Sequence, residues 1–269
     1  MSSKQQGMAM QRGGIEVWTA RPGKVDTAAC SALAGLLDAH ERERAAAFRF
    51  DIDRQAFIIA HALRRLALAC AMGADPGELQ FATGAHGKPL LLGADAATPA
   101  FSLTRSRGLV ACAVGHQRFL GIDVEPVRPG LSPSLLESFV TPAHGAAFLD
   151  DAPDLFMQWT ALEAFWKARG TGLSTTQPRI GLRAMDSDDC YEIVDGDSRL
   201  PTGLVVMRLP APEGHVLALA CEEVGSVQLV ELDRLAPRPA AADDVISTCN
   251  DGLCEEASAL GQGGSSTLV

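Results

Sequence analysis

No stretch of this 269-residue chain has the uninterrupted apolar run of about 18 residues that a membrane-crossing helix needs. Its start, MSSKQQGMAMQRGG, has no secretory apolar region either. The two absences lead us to expect a soluble cytoplasmic protein. An even, closely spaced set of cysteines is also missing: Cys30, Cys70, Cys112, Cys190, Cys221, Cys249 and Cys254 are scattered, several inside apolar runs where a reduced thiol packs as a small hydrophobe. No disulfide framework is implied, and the pair in CNDGLC lacks the second ligand pair of a zinc knuckle. The histidines show no H-E-x-x-H spacing, and there is no nucleophile elbow. Positive charge is scarce too. A net charge of −10 argues against a general nucleic-acid binder, which needs an exposed basic surface.

What is there is enough for one large or two small domains, at 47% hydrophobic and 21% charged residues. From Pro237 onward, Asp243, Asp244, Asp251, Glu255 and Glu256 stand against Arg238 alone, which leaves −6 of the −10 for the body. The densest basic cluster is Arg42, Arg44, Arg49, Arg54, Arg64 and Arg65, interleaved with Glu41, Glu43, Asp51 and Asp53. Solvated helix faces with local ion pairs are the expected outcome.

IEVWT (15–19) reads as a first strand, Thr27 to Ala47 as a helix, and Asp53 to the residue before Gly73 as a second, strongly apolar helix. After the loop TGAHGKP, strands are expected at 90–92, 101–104 and 109–114, with GHQR turning the last of them into FLGIDVE as a hairpin. Ser132 with Pro133 and Thr141 with Pro142 are helix starts, and a longer helix runs from about Asp154 to Arg169. Further strands follow at 190–194, 203–209 and 215–221. The alternation predicts an α+β protein made of a pseudo-twofold pair of similar halves, 15–118 and 119–235, with 236–269 a disordered tail of small and polar residues.

The stretch GIDVEP places Asp123 and Glu125 two positions apart, on one face of a strand and about 6.5–7 Å from each other, while Ile122 and Val124 face the other way. Such a pair is ordinarily the wet face of an edge strand. A third acid changes the reading. In DLFMQWTALEAFWKARG, Leu155, Trp159, Leu162 and Trp166 form an apolar stripe, and Glu163 borders it with Lys167 one turn on as a structural partner. If this helix lies over the strand, the three carboxylates converge and can hold a hard divalent cation.

GIDVEP and, about thirty residues later, WTALEAFWKARGTGL resemble the signature of the Sfp-type 4′-phosphopantetheinyl transferases, G-[IV]-D-[IV]-E and W-x-x-K-E-A-x-x-K-x-x-G-x-G. ERERAAAFRFDIDRQAFIIAHALRRLAL, HGKPLL, FSLTRSRGLVACAV and PAPEGHVLALA are similar to further segments of that family in the same order, over about residues 15–230. The resemblance implies transfer of the phosphopantetheine arm of coenzyme A to a serine of an apo acyl or peptidyl carrier protein, with release of 3′,5′-ADP. It implies Mg²⁺ on Asp123, Glu125 and Glu163, with Glu163 taking the serine proton and Lys167 pairing with the pyrophosphate. Lys88 and Pro89 match the loop near adenine and ribose. Arg44 matches a basic residue for the 3′-phosphate, and Thr104 and Arg105 match a phosphate-contacting Ser-His. A monomer acting without nucleic acid or membrane, in fatty acid, polyketide or nonribosomal peptide synthesis, is the corresponding expectation.

The sequence departs from the pattern at three places. Arg105 replaces the usual His and keeps a cation, Ser102 replaces Asn, and Leu162 stands where the family has Lys before the catalytic Glu. Periodicity puts Leu162 on the buried side and the family position puts it near the pyrophosphate, which together predict a residue at the rim of the site. The alternative function is a catalytically weak paralogue that binds coenzyme A or a carrier protein.

Overall fold

The computed structural model describes residues 14–84, 86–128, 139, 152–172, 177–185, 189–223 and 225–232. The proposed helix starts at Ser132 and Thr141, the CNDGLC pair and the tail lie outside these residues.

The first sheet is built on β1 (Ile15–Ala20), flanked antiparallel by β5 (Val110–Gly115), which in turn pairs antiparallel with β4 (Ala100–Arg105). Side chains alternate across it. Trp18, Val110, Cys112 and Val114 face helix α3 (Asp51–Met72), while Ile15, Val17, Ala111 and Ala113 face the opposite way. Helix α3 buries Ile59, Ala60, Leu63, Leu66 and Ala67 against this sheet. It ends at Gly73, whose φ of 64° is the left-handed cap that glycine adopts without steric cost. A small ribbon of β2 (Phe81–Thr83) and β3 (Pro89–Leu91) follows.

The helix expected over 27–47 is two helices, α1 (Thr27–Gly35) and α2 (Ala39–Ala46). The break has a local cause: the Asp38 carboxylate accepts from Glu41 N at 2.8 Å, and the Glu41 carboxylate accepts from Asp38 N at 3.0 Å, a reciprocal cap that starts a new helix. Of the basic cluster, Arg42, Arg44 and Arg49 are exposed and Arg54 pairs locally with Asp51, as expected, but Glu41 corrects the expectation for Arg64 and Arg65. It is 4% exposed, and Arg64 and Arg65 of α3 are 3% and 0% exposed. Arg65 donates to Glu41 Oε2 from both Nε (2.9 Å) and Nη2 (2.6 Å), to Asp38 Oδ2 (2.9 Å), and to the carbonyls of Pro76 and Leu79. These arginines are core residues.

By length and composition alone α3 could cross a membrane, contrary to the expectation that no interior segment could. In the fold 67% of that stretch is buried, with Arg64 and Arg65 locked inside it.

The second sheet runs β6 (Leu120–Pro126), β10 (His215–Cys221), β9 (Pro201–Leu209), β8 (Cys190–Asp195) and β7 (Ile180–Ala184), antiparallel throughout. β5 and β6 are therefore not a hairpin. The chain leaves one sheet at Gly115 and enters the other at Leu120, and the Glu222 carboxylate takes up the amides of Arg118 and Phe119 at the crossing. Helix α4 (Ala152–Arg169) packs on the outer face of this sheet over Val206, Val216, Ala218 and Ala220. The inner faces of the two sheets meet through Ile15, Val17, Ala111, Ile122, Val124, Leu217 and Leu219. The layers are thus α3, first sheet, second sheet, α4: an α+β pair of helix-backed halves. A final strand, β11 (Val227–Glu231), returns to the first sheet and pairs in parallel with β1. It was not anticipated, nor were β2 and β7.

Where the sheets abut, β4 and β6 are edge strands laced by side chains. Ser102 Oγ accepts from Ile122 N at 3.1 Å, and Thr104 Oγ1 accepts from Val124 N at 3.2 Å. None of the five cysteines among the described residues is in a disulfide, and burial pushes the thiols of Cys112 and Cys221 up to about 12.

Candidate active site

Gly121 determines how close α4 comes to β6. A Cβ there would stand 2.0 Å from Ala164 O and 2.4 Å from Ala168 N, so only the absence of a side chain permits the approach. Two residues along the same face, Asp123 meets the side chain of Lys167, with Nζ 2.5 Å from Oδ1. Thr104 completes the knot. Its hydroxyl donates to Asp123 Oδ1 at 2.9 Å and accepts from Lys167 Nζ at 3.2 Å and from Val124 N, which uses its one donor and both lone pairs.

Asp123 is 5% exposed, which rules out the wet-face reading of the D-x-E strand. Its other oxygen, Oδ2, is buried with no hydrogen-bond partner. Glu125 accepts from Trp159 Nε1 at 3.3 Å, a polar role for a residue read from sequence only as part of an apolar stripe. Burial and then the Asp123 charge push the Glu125 carboxyl up, against the Trp159 bond, Arg128 and Lys167. Glu163 is pushed up for the same two reasons, opposed by Lys167 and reinforced by Glu125. Lys167 turns to Asp123, not to Glu163 as the one-turn spacing suggested.

Do these residues suit a divalent cation? Among the described residues no three acidic, histidine or cysteine side chains are gathered closely enough to form a ready ligand set. The chemistry nevertheless fits. A buried carboxylate oxygen lacks a partner, and two neighbouring carboxyls are destabilised by Asp123, Glu163 by Glu125 as well, a strain that a hard cation with oxygen ligands relieves.

Beside these acids lies a cleft of about 240 Å³. One wall is the loop His86–Pro89, the other is Glu163, Trp166 and Lys167 of α4 with Gly170 and Gly172 beyond it, and Phe101 to Leu103 of β4 form the rest. Gly87, Gly170 and Gly172 have φ of 79°, 72° and 69°, so both loops depend on glycine. Lys88 Nζ donates to Lys167 O at 2.7 Å and to Leu120 O at 3.4 Å, and burial pushes its pKa down.

Arg44 and Arg105 meet elsewhere, around Phe57, with guanidinium carbons 5.3 and 5.5 Å from the ring centroid. Arg105 also lies 5.2 Å from the Phe48 ring. Burial pushes the Arg105 pKa down, as does Arg44, against Asp53. The structure therefore brings Asp123, Glu125, Glu163, Lys167 and Thr104 together, sets Lys88 and Pro89 across the cleft, and assembles Arg44 and Arg105 as a separate cationic spot. Leu162 is 0% exposed and sits in the core cluster under α4, which corrects its placement at the rim. Gly121 and Ser102 carry positioning roles that sequence reasoning missed. The helix's close approach gives Gly121 its part.

Fold and site together define a class: two helix-backed sheets packed face to face, with carboxylates and a lysine collected on an edge strand and a helix beside a glycine-bounded cleft. Residues 119–202 match the family model of the 4′-phosphopantetheinyl transferase superfamily. The chain is 34% identical over 150 residues to the 4′-phosphopantetheinyl transferase HetI of Nostoc sp., which covers 53% of this chain and 63% of that protein. It is 26% identical over 203 residues to a phosphopantetheinyl transferase of Thraustochytrium sp., with 69% and 70% covered. To a putative 4′-phosphopantetheinyl transferase of Synechocystis sp. it is 29% identical over 147 residues, with 52% and 59% covered. The chain thus spans about three fifths of the Nostoc and Synechocystis proteins. These matches make the chain similar to the 4′-phosphopantetheinyl transferase superfamily, over residues 119–202 by the family model and over 147 to 203 residues by the three relatives.

Proposed function

We propose that the chain is an Sfp-type, Mg²⁺-dependent 4′-phosphopantetheinyl transferase, acting as a cytoplasmic monomer. It moves the phosphopantetheine arm of coenzyme A to a serine of an apo acyl or peptidyl carrier protein and releases 3′,5′-ADP. The observation that carries this reading is the unpartnered, buried Asp123 Oδ2 beside two carboxyls, Glu125 and Glu163, that burial and the Asp123 charge push up. Asp123, Glu125 and Glu163 would hold Mg²⁺, which supplies positive charge against the pyrophosphate.

The chain's own groups do the rest. Glu163, whose carboxyl burial and the Asp123 charge push up from its ordinary value, is as a carboxylate a stronger base for the serine proton. The serine oxygen bonds to the phosphorus that carries the pantetheine arm as the bond from that phosphorus to the departing 3′,5′-ADP oxygen breaks. Lys167, partly exposed at the cleft, pairs with the pyrophosphate, while Lys88 and Pro89 line the nucleotide side. Arg44 and Arg105 receive the 3′-phosphate. Thr104 is engaged with Asp123 and Lys167, so its part is to hold them.

The test is incubation with coenzyme A, Mg²⁺ and an apo carrier protein, with a mass gain of one phosphopantetheine expected on the carrier. A second reading is favoured by one observation. Leu162, buried in the core, adds no cation to the site, as a paralogue that binds coenzyme A without efficient transfer would show. Tight binding of coenzyme A with no mass gain across a panel of carriers would establish that reading instead.

A further inference from the structure

Lys88 is a half-buried cation whose hydrogen bonds among the described residues go to two main-chain carbonyls and to no carboxylate: Lys167 O in the last turn of α4 and Leu120 O at the first residue of β6. Its aliphatic stem passes Gly170, where an added Cβ would come within 3.5 Å of Cδ. One side chain therefore joins three segments: the loop before β3, the start of β6 and the end of α4. They join at the place where Gly121 lets β6 touch α4.

We propose that Lys88 is a positioning residue that clasps the end of α4 to the start of β6 and so fixes Lys167 against Asp123. The carbonyls at a helix C-terminus lack partners within the helix and carry partial negative charge, so an ammonium satisfies them and favours their geometry. The leverage is short. The carbonyl that Lys88 holds belongs to the residue whose Nζ meets Asp123, and Leu120 lies three residues before Asp123 on the same strand. A ligand that drew this ammonium away from α4 would have to break a 2.7 Å charge-assisted bond, whereas its third N–H is engaged by neither carbonyl. The role in transfer rests on the function proposed above, whereas the clasp itself does not.

The experiment is amide hydrogen exchange on the ligand-free full-length chain. Lys88→Met keeps the stem and removes the donors, Lys88→Arg keeps donors within reach of the same carbonyls, and Lys88→Gln is the milder variant if the methionine fails to fold. Expected for Lys88→Met is exchange about tenfold faster at the α4 end, including the Gly170 amide that donates to Trp166 O, with Lys88→Arg restoring protection. In transfer assays kcat falls while KM for coenzyme A stays within about twofold, the split expected of a residue acting through another. Unchanged exchange in ligand-free Lys88→Met overturns the proposal, as does a more than tenfold loss of 3′,5′-ADP affinity with exchange unaltered. If the wild type transfers nothing, the exchange result still decides the clasp.

Discussion

On α3, Arg64 and Arg65 meet Glu41 of the neighbouring helix; on α4, Lys167 meets Asp123 of the strand beneath. Both are buried acid–base clusters on the long helix of a half, and each contains one buried side-chain polar atom without a hydrogen bond. The atoms differ in surroundings. Arg64 Nε belongs to a guanidinium stacked 3.6 Å from the Phe81 centroid, and an aromatic face is itself a partner for a cation. Asp123 Oδ2 has no such cover. The first cluster is closed: hydrogen bonds from His61, the Asp38 amide and Arg65, with the Arg64 charge, outweigh burial and bring Glu41 to about 2. In the second, burial and mutual repulsion win and the glutamates are pushed up. One cluster spends its charges on itself; the other leaves them for a ligand.

Breaking the closed cluster is expected to have the largest effect. Glu41→Ala leaves the buried Arg64 guanidinium without its counter-charge and Arg65 with Asp38 alone, and costs about 3–5 kcal/mol, read as a large fall in melting temperature. An unchanged melting temperature would show that the arginines rehydrate. Leu162→Lys should cost a similar amount, because it puts an ammonium into the core under α4. A stable, faster variant would return Leu162 to the rim.

Opening the second cluster further should spare the fold and remove the activity. Asp123→Ala is expected to lower transfer by about a hundredfold or more, with little loss of melting temperature. Wild-type transfer in this variant would sink the metal-site assignment. Acid sharpens the contrast. Glu41 is depressed from 4.5 to about 2, so its stabilisation is complete above 4.5 and lost as pH falls toward 2, about 3 kcal/mol in all. His61, depressed by burial, adds a loss of the same sign below 6.5. Denaturant midpoints measured from pH 7 to pH 2 should fall in wild type and fall less in Glu41→Ala. Removing residues 236–269 should matter least, changing transfer less than about twofold and stability by less than about 0.5 kcal/mol.

How much of this was legible in the sequence depends on whether the signal was local. Asp123 and Glu125 on one strand face, and Glu163 with Lys167 one helical turn apart, follow from periods of two and 3.6 residues. So do the Leu155, Leu162 and Trp166 contacts. The break at Asp38 was also local, readable in Asp38-x-x-Glu41, and passed over because the apolar spacing continues through it. What could not be read was the choice of partner. β6 could have paired with β5, yet it pairs with β10; β11 lies more than two hundred residues from its partner β1; and Arg65 finds Glu41 across a helix boundary. Lys88 fits a ligand loop and a helix clasp equally well until the carbonyl of Lys167 is placed beside it.

The hydroxyl lacing between β4 and β6 bears on self-association. A strand at the rim of a sheet is a template for a foreign strand, and these two rims blunt each other because Ser102 and Thr104 occupy the amides of Ile122 and Val124. Among the described residues that leaves β7 and β11 as the outer rims of the two sheets. Of these, β11 bears an exposed leucine, Leu229, so crowded solutions of this protein should add strands there first, and a lysine at position 229 is the substitution to keep it in solution.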